Sequence, residues 1–148
     1  MRHVNIYTAT TFKGVKIQNG DIGYILEFIT DKAPVTLTKY EYIEGVTPNA
    51  AELKAVIKAL KRMTEKCELT IYTESMYVAS GYNSGWVNAW KTNYWKTSRG
   101  KEVSNKSDWQ QLDRLLDGHK FTFFAQKQHS YRQWLTDTVN KAKERNDV

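Results

Sequence analysis

Four short stretches hold the side chains best suited to chemistry. Glu52 lies in Thr47-Pro48-Asn49-Ala50-Ala51-Glu52-Leu53, and Glu74 in Thr70-Ile71-Tyr72-Thr73-Glu74-Ser75. His129 precedes Asp137, and the remaining stretch, Val4-Asn5-Ile6-Tyr7-Thr8-Ala9, ends without an acid. Carboxylates act as general acids and bases, and they are the hard oxygen ligands that magnesium prefers. A histidine adds a group that titrates near neutral pH. Taken singly, each acid reads more simply as a solvated residue at a helix or strand end. Their meaning depends on the elements that position them.

Residues 3–8 alternate apolar and polar side chains, as a half-buried strand does. A loop rich in Lys and Gly follows, and residues 23–30 and 35–43 read as two further strands. Short connections between the three imply an antiparallel meander. The period then changes. Thr47 is a plausible N-cap, and Pro48 suits the first helical position. Leu53, Val56, Ile57, Leu60 and Met63 recur at helical spacing, with an end expected near residues 64–66. Residues 68–73 form a fourth strand, reached by a parallel crossover. Short helices are expected over residues 75–80 and 85–91. Ser107 is expected to cap a helix that carries Trp109, Leu112, Leu115 and Leu116 and stops at Asp117-Gly118. A fifth strand over residues 121–125 and a terminal amphipathic helix over residues 130–143 complete the order. The pattern predicts an α/β fold: one five-stranded mixed sheet flanked by helices.

The chain has 148 residues, 41% of them hydrophobic and 13% aromatic, which suits a single domain over residues 1–148. No run of 18 apolar residues crosses a membrane. The start shows no apolar leader. A lone cysteine, Cys67, opens an apolar strand and reads as a buried structural thiol, as expected in a reducing cytoplasm. The net charge of +6 favours a polyanionic partner. His3 and His119 read as surface or turn residues.

The order of elements and the four stretches together resemble type 1 ribonuclease H. The likeness runs from Val4 to about Lys143. The family's first acid follows a Tyr/Phe-Thr pair on the first strand, where this chain has Tyr7-Thr8-Ala9. Its second acid corresponds to Glu52 and its third, usually an aspartate, to Glu74. His129 and Asp137 match its histidine and last acid. Residues 86–109, with Trp86, Trp90, Lys91, Trp95-Lys96-Thr97, Arg99, Lys101, Asn105 and Trp109, resemble the family's basic handle.

The resemblance implies two-magnesium hydrolysis of the RNA strand of an RNA/DNA hybrid, by a monomer. One ion activates water and the other stabilises the leaving oxygen, about 3.5–4 Å apart. Glu52, Glu74 and Asp137 are then the metal ligands, for magnesium or manganese, and His129 assists proton transfer or product release. Ala9 cannot ligate, so binding of a second ion and turnover are expected to suffer. Thr8, Thr10 and Thr11 offer only neutral hydroxyls there. Trp86, Lys91, Lys96, Arg99, Lys101 and Asn105 are expected to meet the DNA strand. Asn49, Ser75 and the loop around Gly14 and Gly20 match positions near the RNA strand. Met76 replaces the family's usual polar Gln. Trp90 and Trp109 read as core. Two rivals remain: a catalytically inactive hybrid- or duplex-binding module, and a structural domain like the connection domain of reverse transcriptases.

Overall fold

The first third of the chain forms three long strands in the computed structural model, which describes residues 1–126, and the second begins at Gln18, inside the stretch expected to be a loop. They are β1 (Arg2–Thr10), β2 (Gln18–Phe28) and β3 (Val35–Val46). Then follow α1 (Pro48–Leu60), β4 (Cys67–Thr73), α2 (Met76–Asn83), α3 (Trp86–Thr92), α4 (Lys106–Leu116) and β5 (Lys120–Ala125). The sheet order is β3-β2-β1-β4-β5. β1, β2 and β3 pair antiparallel, whereas β1–β4 and β4–β5 are parallel. This is the five-stranded mixed sheet that the sequence pattern predicts. The central strands β1 and β4 therefore end at one rim, and that rim carries the candidate chemistry.

Thr47 caps α1 as expected: its hydroxyl accepts from the Ala50 amide at 3.2 Å, and Pro48 opens the helix. The apolar stripe of α1 covers one sheet face. Leu53, Val56 and Ile57 pack there with Val4, Ile6 and Leu26. The opposite face carries Tyr7, Ala9 and Ile25, with Tyr72 stacked on Tyr7 at 4.8 Å and 6° between rings. Cys67 is buried at the start of β4, in keeping with a structural thiol. Among the described residues, no helix is long and apolar enough to cross a membrane.

Several local expectations need correction. α1 ends at Leu60, not near residues 64–66, and Met63 packs against the core from beyond the helix. α4 starts at Lys106, with Asn105 at its cap position in the left-handed region (φ 58°), so Ser107 lies inside the helix. His119 is not a simple turn residue. Its Nδ1 accepts from the Cys67 amide at 2.9 Å, and burial, with Lys66 nearby, holds its pKa below the ordinary value. His3 lies within β1, its Nε2 within 2.9 Å of Asn5 Oδ1 and 3.2 Å of Thr70 Oγ1. The expected terminal helix, His129 and Asp137 lie outside the described residues.

Candidate active site and nucleic-acid interface

The first turns of α1 bring Glu52 to the rim where β1 ends. Thr10 Oγ1 donates to Glu52 Oε1 at 3.5 Å. Glu52 Oε2 is enclosed and accepts no hydrogen bond from the described residues. Burial pushes the Glu52 carboxyl up to about 7, the charge of Glu74 adds to that, and the Thr10 and Thr73 hydroxyls oppose it. Two expected ligands, Glu52 and Glu74, are thus brought together. Glu74 follows directly on β4, and Ser75 then starts α2 by accepting from the Val78 amide at 3.2 Å. Thr8, fully buried on β1, also has a hydroxyl without a hydrogen-bond partner among the described residues.

Ala9 completes the rim on β1 and is 4% exposed beside Tyr7 and Ile25. It offers a methyl group at the position where the resemblance places the family's first acid. Among the described residues, no three acid, histidine or cysteine side chains already close on one point.

The basic segment is built on tryptophan. Trp109 is fully buried, and Trp90 packs on it with ring centroids 5.4 Å apart. Trp90 in turn contacts Trp86 at 6.1 Å and Trp95 at 6.4 Å. The expected core roles of Trp90 and Trp109 fit this arrangement, and Trp86 remains 38% exposed. Tyr77 ties the segment to α2. Its hydroxyl accepts from Trp109 Nε1 at 2.9 Å and from Asn105 Nδ2 at 3.2 Å. Asn105, expected at the nucleic-acid surface, thus spends its amide on an internal bond.

The cations divide into two groups. Lys91 pairs with Asp113 at 3.0 Å, and Lys106 with Glu102 at 3.2 Å. These two hold the segment's own structure. Lys96, Arg99 and Lys101 are exposed around a tight turn, in which the Thr97 amide donates to Lys101 O at 2.7 Å and the Gly100 amide to Thr97 O at 2.9 Å. Tyr94 and Trp95 both adopt positive φ (55° and 59°), an unfavourable choice for bulky residues. That turn leaves Tyr94 85% exposed beside Lys96. The sequence did not signal this exposure of Tyr94, because nothing local marks its backbone conformation.

The positions expected near the RNA strand differ among themselves. Asn49 and Met76 are exposed, and Gly14 lies in an exposed loop with φ 75°. Ser75 spends its hydroxyl on the α2 cap, although its position stays at the rim. Gly20 is buried against the Phe12 ring, where a side chain would collide, so it serves packing.

The family model described as RNase H matches residues 1–141. A ribonuclease H of Acetivibrio thermocellus is 37% identical over 148 residues, covering 95% of this chain and 97% of that protein. A ribonuclease H of Francisella philomiragia is 47% identical over 90 residues, 61% of this chain and 59% of its own length. Among solved structures, LC9-RNase H1, described as a type 1 RNase H with the type 2 active-site motif, superposes with a TM-score of 0.76 at 20% identity, over 95% of this chain and 72% of that one. LC11-RNase H1, solved in complex with RNA/DNA hybrid, gives a TM-score of 0.61 at 18% identity, over 94% and 98% of the two chains. The matched span includes both central strands, the Glu52–Glu74 rim and the tryptophan-built basic segment, and the chain belongs to the ribonuclease H family.

Proposed function

We propose that this chain binds RNA/DNA hybrid and hydrolyses its RNA strand by metal-dependent phosphodiester cleavage, with turnover attenuated by Ala9. The observation that carries the reading is the pairing of Glu52 and Glu74 at the rim. Two carboxylates in a partly buried site repel each other, and a cation between them relieves that repulsion. The enclosed Glu52 Oε2, with no hydrogen bond from the described residues, fits such a ligand.

Glu52 and Glu74 would hold one hard divalent ion, magnesium or manganese, with Asp137 as a further ligand by resemblance. When bound, the ion polarises the phosphate and lowers the pKa of a coordinated water. Thr10, its hydroxyl 3.5 Å from Glu52 Oε1, contributes a weak hydrogen bond to that carboxyl. His129, by resemblance, moves a proton or aids product release. Lys96, Arg99 and Lys101 would neutralise phosphates of the DNA strand, and Trp86 and Tyr94 would offer faces to sugar or base. Membership of the family and the relatives named ribonuclease H support this reading.

The inactive hybrid-binding module is the second reading, favoured by the apolar surroundings of Ala9. Cleavage of a labelled hybrid in magnesium and in manganese decides between them. Measurable RNA-strand cleavage that EDTA abolishes supports the nuclease. Tight, salt-sensitive binding without cleavage in either metal supports the module.

A further inference from the structure

We propose that the open edge of β3 joins a second copy of this chain, strand to antiparallel strand, about a twofold axis at Tyr40. This surface lies away from the rim, and its pairing is independent of the nuclease reading. The family resemblance implies a monomer; association here is reversible and rises with concentration. Among the described residues, β3 ends the sheet, with β2 as its neighbour on one side. It runs for 12 residues, Val35–Val46, without a proline. Val35, Tyr40 and Tyr42 are 59%, 42% and 41% exposed. A long edge strand presents a row of backbone donors and acceptors, which prolines, bulges or inward charges commonly blunt.

The ladder sets which backbone groups face outward. In an antiparallel pair, alternate residues turn both amide and carbonyl to the same neighbour. The Thr11 amide donates to Asp21 O at 3.0 Å, and the Ile29 amide to His3 O at 3.1 Å, so the odd-numbered residues of β2 face β1. Its even-numbered residues therefore face β3. Their partners, Glu41 opposite Ile22, Lys39 opposite Tyr24 and Leu37 opposite Leu26, turn their backbone groups inward. The Gly45 amide fits this parity, donating to Asn19 Oδ1 at 2.9 Å, back toward β2. Thr36, Thr38, Tyr42 and Glu44 turn theirs to the open edge.

Two copies hydrogen-bond where outward-facing residues meet, so even-numbered residues must pair with even-numbered ones. Centred on Tyr40, the register sets Thr38 against Tyr42 of the second copy, twice by symmetry, and Tyr40 against its own counterpart. On the α1 face, Lys39 then lies directly opposite Glu41, and Leu37 opposite Ile43. Opposite charges across such a pair stabilise it, and like charges destabilise it. A centre at position 39 sets Lys39 against Lys39, and a centre at position 41 sets Glu41 against Glu41. Residues 37–43 thus pair their two charges in one register only. Glu41 also meets Lys58 at 3.1 Å on an exposed face, and its carboxylate can accept from a second lysine. The contact uses the same patch on both copies and closes at two. It leaves the Glu52–Glu74 rim open.

Sedimentation equilibrium of the full chain without nucleic acid, from about 5 to about 500 μM, covers the span of a small, transient interface. It compares the parent with Lys39→Glu, Glu41→Lys and the double exchange. The parent should shift from one chain to two as concentration rises. Each single exchange should weaken association roughly tenfold or more, because two attractive pairs become repulsive at once. Their thermal unfolding midpoints should stay close to the parent's. The double exchange should restore association, and an equimolar mixture of the two single variants should associate although neither does alone. A parent that stays monomeric, growth beyond two copies, single variants that associate as the parent does, or a loss that neither the double exchange nor mixing repairs overturns the proposal. Hydrogen exchange needs no variant. The Thr38 and Tyr42 amides should gain protection with concentration, whereas those of Lys39 and Glu41, already in the ladder to β2, should not. Equal gains at all four, or none at any, also overturn it.

Discussion

Glu52 and Glu74 meet at the rim where β1 and β4 end, and the charge of Glu74 adds to burial in raising the Glu52 carboxyl to about 7. The folded state therefore holds a proton on Glu52 more tightly than the unfolded chain does. That contribution to stability is fully present below the unfolded value of 4.5 and is lost as pH rises through about 7. Each tenfold difference in proton affinity is worth roughly 1.4 kcal/mol, so the loss is on the order of 3 kcal/mol. Urea unfolding in EDTA should show stability falling between pH 5 and pH 8. Glu52→Gln should flatten that slope, and an unchanged slope places the titrating group elsewhere. Divalent-ion affinity should rise across the same window, because the ion competes with the proton.

Restoring the first-strand acid should raise activity. If a carboxylate at position 9 supplies about 4 kcal/mol of transition-state stabilisation, Ala9→Asp increases turnover roughly a thousandfold. Initial rates on a labelled hybrid in magnesium check this. A variant as slow as the parent removes Ala9 as the cause of attenuation.

The basic segment should divide by role. Lys96→Ala, Arg99→Ala and Lys101→Ala should each reduce the salt dependence of hybrid binding by about one phosphate's worth, in log–log slope. Lys91→Ala and Lys106→Ala should change that slope less, because those side chains pair with Asp113 and Glu102. Binding titrations at several salt concentrations separate the two groups. Equal slopes for all five variants contradict the division.

Gly81 lies in α2 against the ring of Trp109, where an added Cβ would collide with the indole. Trp109 is itself fully buried and hydrogen-bonded to Tyr77, so it has little room to move. Gly81→Ala should cost about 1–3 kcal/mol through overpacking, more than the helix propensity gained. Thermal unfolding would show a lower midpoint. A neutral or stabilising result means that the indole shifts freely.

Much of the fold was legible because its determinants are local. Alternation marked β1 and β3, an apolar run marked β2 from residue 23 but missed its start at Gln18, Thr47-Pro48 marked the start of α1, and the spacing of Trp109, Leu112 and Leu116 marked the buried side of α4. The end of α1 was overrun because Met63 continues the apolar period after the helix stops, and the period reports burial, not hydrogen bonding. The start of α4 was misplaced because Asn105 takes a left-handed conformation, held by its bond to Tyr77, a residue 28 positions away.

The sequence by itself determined which residue types are available: Glu52, Glu74, a missing acid at Ala9, and a cluster of cations among tryptophans. Only the tertiary structure decided how they are used. Strand register set Gly23 opposite Ala9 and carried Tyr7 and Ile25 to the same face, and a shift of one residue would have turned that face to the other side. Packing of α3 against α4 assigned Lys91 to Asp113 and left Lys96, Arg99 and Lys101 exposed. Register and pairing depend on which faces are buried together, and that is a property of the assembled sheet and helices, not of any local stretch of chain.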